Sequence, residues 1–359
     1  MAVIGQGYFA QSAILPAIDQ LDDVELTALV SGSRHKLEEL GQTYNVRTLC
    51  DYDQLDPLLA SGRIDAVYIA VPNDLHARFA VLAARRGIHV LCEKPMAPTD
   101  VECLDMIRAC EQSNVKLMIA YRLHFDSANL VAIQLARGGD LGEPRVFSST
   151  FTQQVAEDNT RTQLRRGAGP LYDVGVYCIN AARYLFQAEP IEVSAMRFAS
   201  RDPRFRAVDE AIAVTLRFPN ERVAQFTCSF GAFARAHYEV IGTQGFLELD
   251  HAYEATSPIR MHVEDARGTR ERTFEQRDQV AGEVAYFARC IREDKQPEPG
   301  GYEGLADVRI MQAIMASARF GRAVPITPLE RSMRPDLGQV EDIAPHPEPA
   351  LIDVVAATR

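Results

Sequence analysis

The chain has 359 residues, 47% of them hydrophobic, which is enough to bury a large core and favours two domains over one. Its net charge of −11 speaks against sequence-independent nucleic-acid binding, which needs a basic surface to displace counterions from phosphates. No basic stretch followed by an apolar run opens the chain, no apolar stretch approaches the roughly 18 to 20 residues that span a bilayer, and seven scattered cysteines without C-x-x-C spacing suggest neither a metal site nor a disulfide framework, so a reducing, cytoplasmic setting is expected.

The N-terminal third alternates short apolar or β-branched runs with longer amphipathic segments, the pattern of parallel βαβ units. Strands are expected at Ala2 to Ile4, Glu25 to Ser31, Ala66 to Val71, Ile88 to Cys92 and Lys116 to Ala120. Helices are expected around Phe9 to Gln20, Arg34 to Tyr44, Leu55 to Ala60, Leu75 to Arg86 and Asp100 to Gln112, the last with capping chemistry from Thr99, Asp100 and Glu102. After Arg122 the texture changes to helix, glycine-rich loop, helix and then strands at hairpin spacing: Arg145 to Gln153, Ile191 to Ala199, Ala211 to Phe218, Arg222 to Ser229, His237 to Gly242, Gly245 to Leu249 and Ile259 to Glu264. Pro219-Asn220 and Thr243-Gln244-Gly245 read as turns between successive strands, so this sheet is expected to be antiparallel. Helices at about Val280 to Glu293 and Gly304 to Phe320 follow, and rising proline density from Pro328 predicts an extended or disordered tail. The fold expected is α/β followed by α+β: a doubly wound parallel sheet over 1–122, a domain on an open, mainly antiparallel sheet over 123–327, and a proline-rich tail over 328–359.

Strand one runs into Gly5-Gln6-Gly7-Tyr8-Phe9-Ala10, a G-x-G-x-x-A match that opens a helix. The first glycine permits the tight turn, the second lets the backbone approach a pyrophosphate, and the alanine keeps helix packing close. The helix N-terminus offers unpaired N–H groups to the phosphates. The end of strand two carries no carboxylate for an adenosine ribose; Ser31-Gly32-Ser33-Arg34-His35-Lys36 instead offers hydroxyls and two cations suited to a 2′-phosphate, so NADP is expected over NAD. At the end of the next informative strand, in Val71-Pro72-Asn73-Asp74-Leu75-His76, Asn73 or Asp74 can cap the following helix, and Pro72 and Asn73 are also placed to line the cofactor cleft. Glu93-Lys94-Pro95 puts a cation where a buried strand runs out, and in an open parallel sheet that edge faces the ligand. On the apolar segment from Gly167 to Tyr184, Asp173, Tyr177, Asn180 and Tyr184 fall at i, i+4, i+7 and i+11, one face of a helix. A polar row of this kind needs a ligand or a hydrogen-bond network to satisfy it.

With these come Asp65 to Ile69, Leu117 to Arg122, Arg183-Tyr184-Leu185 and Glu189 to Val193, and in this order the chain from Val3 to Ile326 resembles the Gfo/Idh/MocA oxidoreductases, closest to the glucose-fructose oxidoreductase branch. The resemblance implies a Rossmann domain and an open-sheet α+β domain used for substrate binding and oligomerisation. It also implies cofactor contacts from Gly5, Gly7, Tyr8, Phe9, Ser31, Gly32, Ser33, Arg34, Lys36, Pro72, Asn73, His76, Glu93, Lys94 and Arg122. Lys94 is implied as the active-site lysine, Asp173 as its carboxylate partner and Tyr177 as the acid/base, with Tyr121, Arg122 and Asn180 joining them around the substrate. A phenol titrates near ~10 and is a poor base at neutral pH, but a nearby ammonium favours the phenolate. Tyr177 would exchange a proton with a sugar hydroxyl while hydride passes between that carbon and the nicotinamide, with Lys94 polarising the oxygen.

The export signal and long N-terminal arm of glucose-fructose oxidoreductases are not expected here, and the cofactor is therefore expected to exchange freely. The loop before Asp173 is shorter than in that branch, and the Trp-Arg pair usual there is replaced around Arg161 to Gln163. The leading expectation is an NADP-dependent oxidation of an aldose such as glucose or xylose at C1. Reduction of a keto-sugar, oxidation of a trans-dihydrodiol, and a non-catalytic NADP or sugar sensor are the alternatives; Lys94, Asp173 and Tyr177 together favour catalysis.

Overall fold

The structure is a computed structural model that describes residues 1–156, 159–163, 165–329, 331 and 333–356. Contacts gather the chain into two compact units. The first comprises Met1–Phe125, Asp278–Leu305 and Glu341–Ala356; the second comprises Asp126–Arg277 and Ala306–Val340.

Six strands of the first unit, Ala2–Ile4 (β1), Ala28–Val30 (β2), Thr48–Cys50 (β3), Ala66–Ile69 (β4), His89–Glu93 (β5) and Leu117–Ala120 (β6), form a parallel sheet in the order β3-β2-β1-β4-β5-β6. Every residue of β1, β2, β4 and β6 is buried, as strands covered on both faces must be. The sequence reading does not contain β3, whose three half-buried residues at the sheet edge carry neither a long apolar run nor alternation. Between the strands lie Leu15–Asp19 (α1), entered through a π-helical turn at Ala10–Ile14, then Arg34–Thr43 (α2), Leu55–Leu59 (α3), His76–Arg85 (α4) and Asp100–Gln112 (α5). Ser33 caps α2 by accepting from the Lys36 N–H, and Thr99 caps α5 by accepting from the Glu102 N–H.

The second unit contains Ser127–Arg137 (α6), Pro144–Gln154 (β7), a π-helical turn at Leu171–Gly175 leading into Val176–Phe186 (α7), and a nine-stranded sheet. Its other strands are Glu192–Phe198 (β8), Ala211–Phe218 (β9), Arg222–Ser229 (β10), Gly231–Gly242 (β11), Phe246–Asp250 (β12), Ile259–Asp265 (β13), Gly268–Phe274 (β14) and Val324–Pro325 (β15), in the order β14-β13-β12-β11-β7-β10-β9-β8-β15. Along β9, Ile212, Val214, Leu216 and Phe218 are buried while the residues between them are not, so one face of the sheet is covered. Phe186 of α7 packs edge-on against Phe218 on that face, ring centroids 5.0 Å apart. One pair departs from the antiparallel expectation: β7 and β10 run parallel, with Phe226 opposite Ser149, because the chain between them returns through α7, β8 and β9 rather than a tight turn. The charged strand β14 was not expected from sequence; it is an exposed edge, where polar side chains are the rule.

The chain then returns to the first unit. Gln279–Arg292 (α8), capped by Asp278, buries Val280, Ala281, Val284 and Phe287 in the same apolar cluster as Val3, Leu29, Tyr68, Leu91 and Met118. Gly301–Phe320 (α9) starts in the first unit and ends in the second. Of the proline-rich tail expected over 328–359, residues 330, 332 and 357–359 lie outside the described residues. Its 341–356 stretch is an extended arm docked on the first unit. Ile343 and Ile352 pack against the apolar cluster, the Ile343 carbonyl accepts from the Asp278 N–H at 2.9 Å, and Arg289 pairs with Glu341.

Candidate active site

The carboxyl ends of β1, β4, β5 and β6 lie side by side, and the strand order reverses between β1 and β4, the place where open parallel sheets bind ligands. Gly5 leaves β1 with φ +98°, and a Cβ there would sit 2.4 Å from the Ala70 carbonyl oxygen, so only glycine fits the turn. Gly7 differs: it is exposed, and nothing lies within 4 Å of where its Cβ would be, leaving the backbone open to a phosphate-bearing ligand. Tyr8 and Phe9 follow, both half-buried. Gln11, 1% exposed, holds the turn from behind: its amide donates to the Gln6 carbonyl and to the Ile352 carbonyl of the arm, and its oxygen accepts from the Ile352 N–H at 2.7 Å.

At the end of β2 the buried Ser31 hydroxyl accepts from the Ser33 N–H at 3.2 Å, Gly32 is exposed, and Lys36 is half-buried. Arg34 is exposed and pairs with Glu38 one helical turn on, at 2.6 Å. Pro72 is exposed and Asn73 half-buried at the end of β4. His76 is fully buried between the two strand-end turns: its Nδ1 lies 3.0 Å from the Pro95 carbonyl and its Nε2 2.9 Å from the Val71 carbonyl, and the neutral ring can donate to one of the two. Burial pushes its titration below the usual histidine range.

Lys94 follows directly on β5, and its backbone N–H donates to Glu93 Oε2 at 3.2 Å. Tyr68 of β4 places its hydroxyl 2.9 Å from Glu93 Oε1 and 3.0 Å from Glu283 Oε1 of α8. Burial raises the Glu93 carboxyl to about 7 against the pull of Lys94, Tyr68 and Arg122, and it pushes Glu283 well above the carboxylate range, with Glu93 as a like charge beside it. Arg122, just past β6, donates to Gln279 at 2.6 Å, and Tyr121 is buried with its ring stacked on His124. Neither Tyr68, which lies in the Asp65 to Ile69 stretch, nor Glu283 was expected from sequence as a site residue. The signal for Glu283 was present, an acid between Val280 and Phe287 on an otherwise apolar helix face.

In the second unit, Asp173 lies in the π-helical turn before α7 and accepts from Arg161 Nε at 2.6 Å. Tyr177, 8% exposed, lies in an aromatic cluster with Phe151 and Tyr253, ring centroids 5.6 and 6.1 Å away. Asn180 points into a buried polar network: it donates to Asp307 Oδ2 at 2.9 Å. Arg183, with no exposed surface, donates to Asp307 Oδ1 at 2.6 Å and to both oxygens of Glu189 at 2.5 and 3.0 Å, and Arg334 donates to Glu189 at 2.9 Å. The polar stripe thus divides, Asp173 and Tyr177 at one end and Asn180 in an ion-pair network at the other. Tyr184 is buried, with the Arg183 and Arg334 guanidinium groups over its ring.

Residues 1–121 match the family model described as an oxidoreductase family with an NAD-binding Rossmann fold, and residues 130–248 match the GFO/IDH/MocA C-terminal domain. The chain is 32% identical over 320 residues to a D-xylose 1-dehydrogenase [NADP(+)] of Haloarcula marismortui, covering 87% of this chain and 89% of the relative. An aldose-aldose oxidoreductase from Caulobacter crescentus, solved with glycerol, superposes with a TM-score of 0.86 at 34% identity, over 90% of this chain and 98% of that one. A 3-ketoreductase from Actinomadura kijaniata, solved with NADP and TDP-benzene, superposes with a TM-score of 0.80 at 26% identity, over 88% and 96% of the two chains.

Proposed function

The chain belongs to the GFO/IDH/MocA oxidoreductase family, and from that premise we propose that it is an NADP-dependent sugar oxidoreductase that oxidises an aldose such as xylose or glucose at C1. The observation that carries the reading is similarity along nearly the whole chain to an NADP-dependent xylose dehydrogenase and an aldose-aldose oxidoreductase. The residues present suit the cofactor. Gly7 leaves room for a pyrophosphate, and Ser31, Ser33, Arg34 and Lys36 give the β2 end donors and cations in place of the carboxylate that NAD requires. Exchange of the Arg34–Glu38 pair for a 2′-phosphate costs little, since an exposed pair of this kind is worth about 0.5 kcal/mol. NADP, when bound, supplies the hydride acceptor.

Lys94 supplies the positive charge that polarises the sugar oxygen, and Tyr177 takes the hydroxyl proton. Asp173, which accepts from Arg161 Nε, is the carboxylate partner of Lys94, with Tyr121 and Arg122 completing the sugar side. Asn180 acts on the substrate indirectly, by anchoring α7 to Asp307. A keto-sugar reductase reading draws on the likeness to the 3-ketoreductase. The outer face of the nine-stranded sheet is assigned to a second copy of the chain.

The test is a panel of aldoses with NADP and of keto-sugars with NADPH, followed by nicotinamide absorbance, with NAD and NADH in parallel. The fastest turnover is expected on an aldose with NADP. Turnover confined to keto-sugars, or faster with NAD, overturns the respective assignment. Lys94→Ala and Tyr177→Phe should each lower kcat by about 100-fold or more while NADPH still binds by fluorescence titration.

A further inference from the structure

Three side chains from three elements of the first unit meet beside Lys94: Tyr68 of β4, Glu93 of β5 and Glu283 of α8. Tyr68 and Glu283 have no exposed surface. The tyrosine hydroxyl makes both contacts, 2.9 Å to Glu93 and 3.0 Å to Glu283, yet it owns one proton and can donate in one of them. The other contact needs a second proton, because bare oxygens at hydrogen-bond distance repel. Glu283 is the carboxyl that carries it. It faces Glu93 and Asp278 as like charges and Arg122 as a cation, and its Oε2 has no hydrogen-bond partner among the described residues. A buried neutral acid tolerates an unpaired carbonyl oxygen far better than a buried carboxylate does. Glu93, by contrast, has Lys94 and Arg122 nearby and accepts the Lys94 N–H, so it is the member that ionises. The hydrogen bonds therefore run from the Glu283 acid to the Tyr68 oxygen and from the Tyr68 hydroxyl to the Glu93 carboxylate.

We propose that Tyr68 and Glu283 are positioning residues for the active-site lysine: their relayed hydrogen bonds hold Glu93 as the carboxylate that fixes the Lys94 backbone and keeps its ammonium charged. This deepens the reading of Lys94 as the cation that polarises the sugar, and it rests on that reading. Because Glu93 titrates at about 7, the relay acts in the neutral range. Above that pH Glu93 is a carboxylate and Lys94 is held; below it Glu93 takes up a proton and Lys94 loses its nearest counter-charge on β5.

The experiment is the pH profile of kcat at saturating NADP for wild type, Tyr68→Phe, Glu283→Gln and Glu93→Gln, with the best sugar from the panel. Wild type should lose activity on the acid side with a midpoint at about 7. Tyr68→Phe strips a donor from the carboxylate and should move that midpoint up by about one unit. Glu283→Gln, whose amide N–H takes the place of the acid proton toward Tyr68, should leave the midpoint where it is, and Glu93→Gln should erase the acid limb. A Tyr68→Phe enzyme slowed by one factor at every pH, or a Glu283→Gln midpoint lowered by a unit or more, overturns the relay. If circular dichroism shows Tyr68→Phe unfolded, the two glutamine variants decide by the same criteria. Lys94→Ala is measured alongside. Near-wild-type kcat there sinks the reading of the lysine itself, whereas loss of kcat with an unmoved Tyr68→Phe midpoint sinks the relay alone.

Discussion

Glu283 occupies a position where a carboxyl group pays a folding penalty that depends on pH. Unfolded, it titrates near ~4.3; folded, enclosed beside Glu93, it titrates well above that. The folded state therefore keeps a proton that the unfolded state releases, and stability falls as pH rises from the unfolded value toward the folded one. Glu283→Gln removes the proton cost and leaves the shape. Chemical denaturation should find it more stable than wild type by ~1–3 kcal/mol at pH ~8, with no gain at pH ~4. Equal effects at both pH values would mean that Glu283 titrates alike in the folded and unfolded chain. Little of this was legible in the chain. Glu93-Lys94-Pro95 announced itself at the end of an apolar strand, but Tyr68 and Glu283 are separated by 215 positions, and an acid on an apolar helix face does not name its partner.

At the scale of elements, α7 shows how far periodicity reaches. The spacing of Asp173, Tyr177, Asn180 and Tyr184 put a polar row on an apolar helix. The π-helical turn at Leu171–Gly175 sets Asp173 apart from the regular helix, and Asn180 and Arg183 turn into a network with Asp307 of α9 and Glu189. Arg183, which has no exposed surface, pairs there with Glu189 and Asp307, and Arg334 pairs with Glu189, so removing Asp307 strips a counter-charge from a fully buried guanidinium. Asp307→Ala should cost about 3–5 kcal/mol in denaturant unfolding. Arg34→Ala, which breaks an exposed pair, should cost less than about 1 kcal/mol. Similar losses for both would show that the network contributes no more than a surface pair. Strand pairs behave alike: the β9 and β10 bounds were readable from alternation, whereas the parallel β7–β10 neighbour depends on where a distant strand docks.

For the molecule as a whole, the outer face of the nine-stranded sheet is the surface left to explain. An open groove of about 810 Å³ runs across it, lined by Ser148, Thr150, Thr215, Gln225, Thr227 and Arg322 among others. At its margin Met196 is 63% exposed, and Phe198, 49% exposed, stands two residues further along β8. Light scattering should report a multiple of the 39.8 kDa chain mass, and Met196→Asp with Phe198→Asp should shift it toward the single chain. A monomeric wild type would remove the assignment of this face to a second copy. By itself the sequence determined the βαβ alternation, the glycine turn, the carboxylate-free end of β2 and the strand-end lysine, because each is written in neighbours that local sterics and periodicity tie together. Tertiary structure alone decided the rest: that α8 and the 341–356 arm return to the first unit, that Gln11 is bonded to Ile352, that Arg183 is buried among carboxylates, and that Glu283 faces Tyr68. Arg183 and Asp307 are 124 positions apart, Tyr68 and Glu283 215, and Gln11 and Ile352 341; burial in a shared core, which no local pattern encodes, is what brings them together.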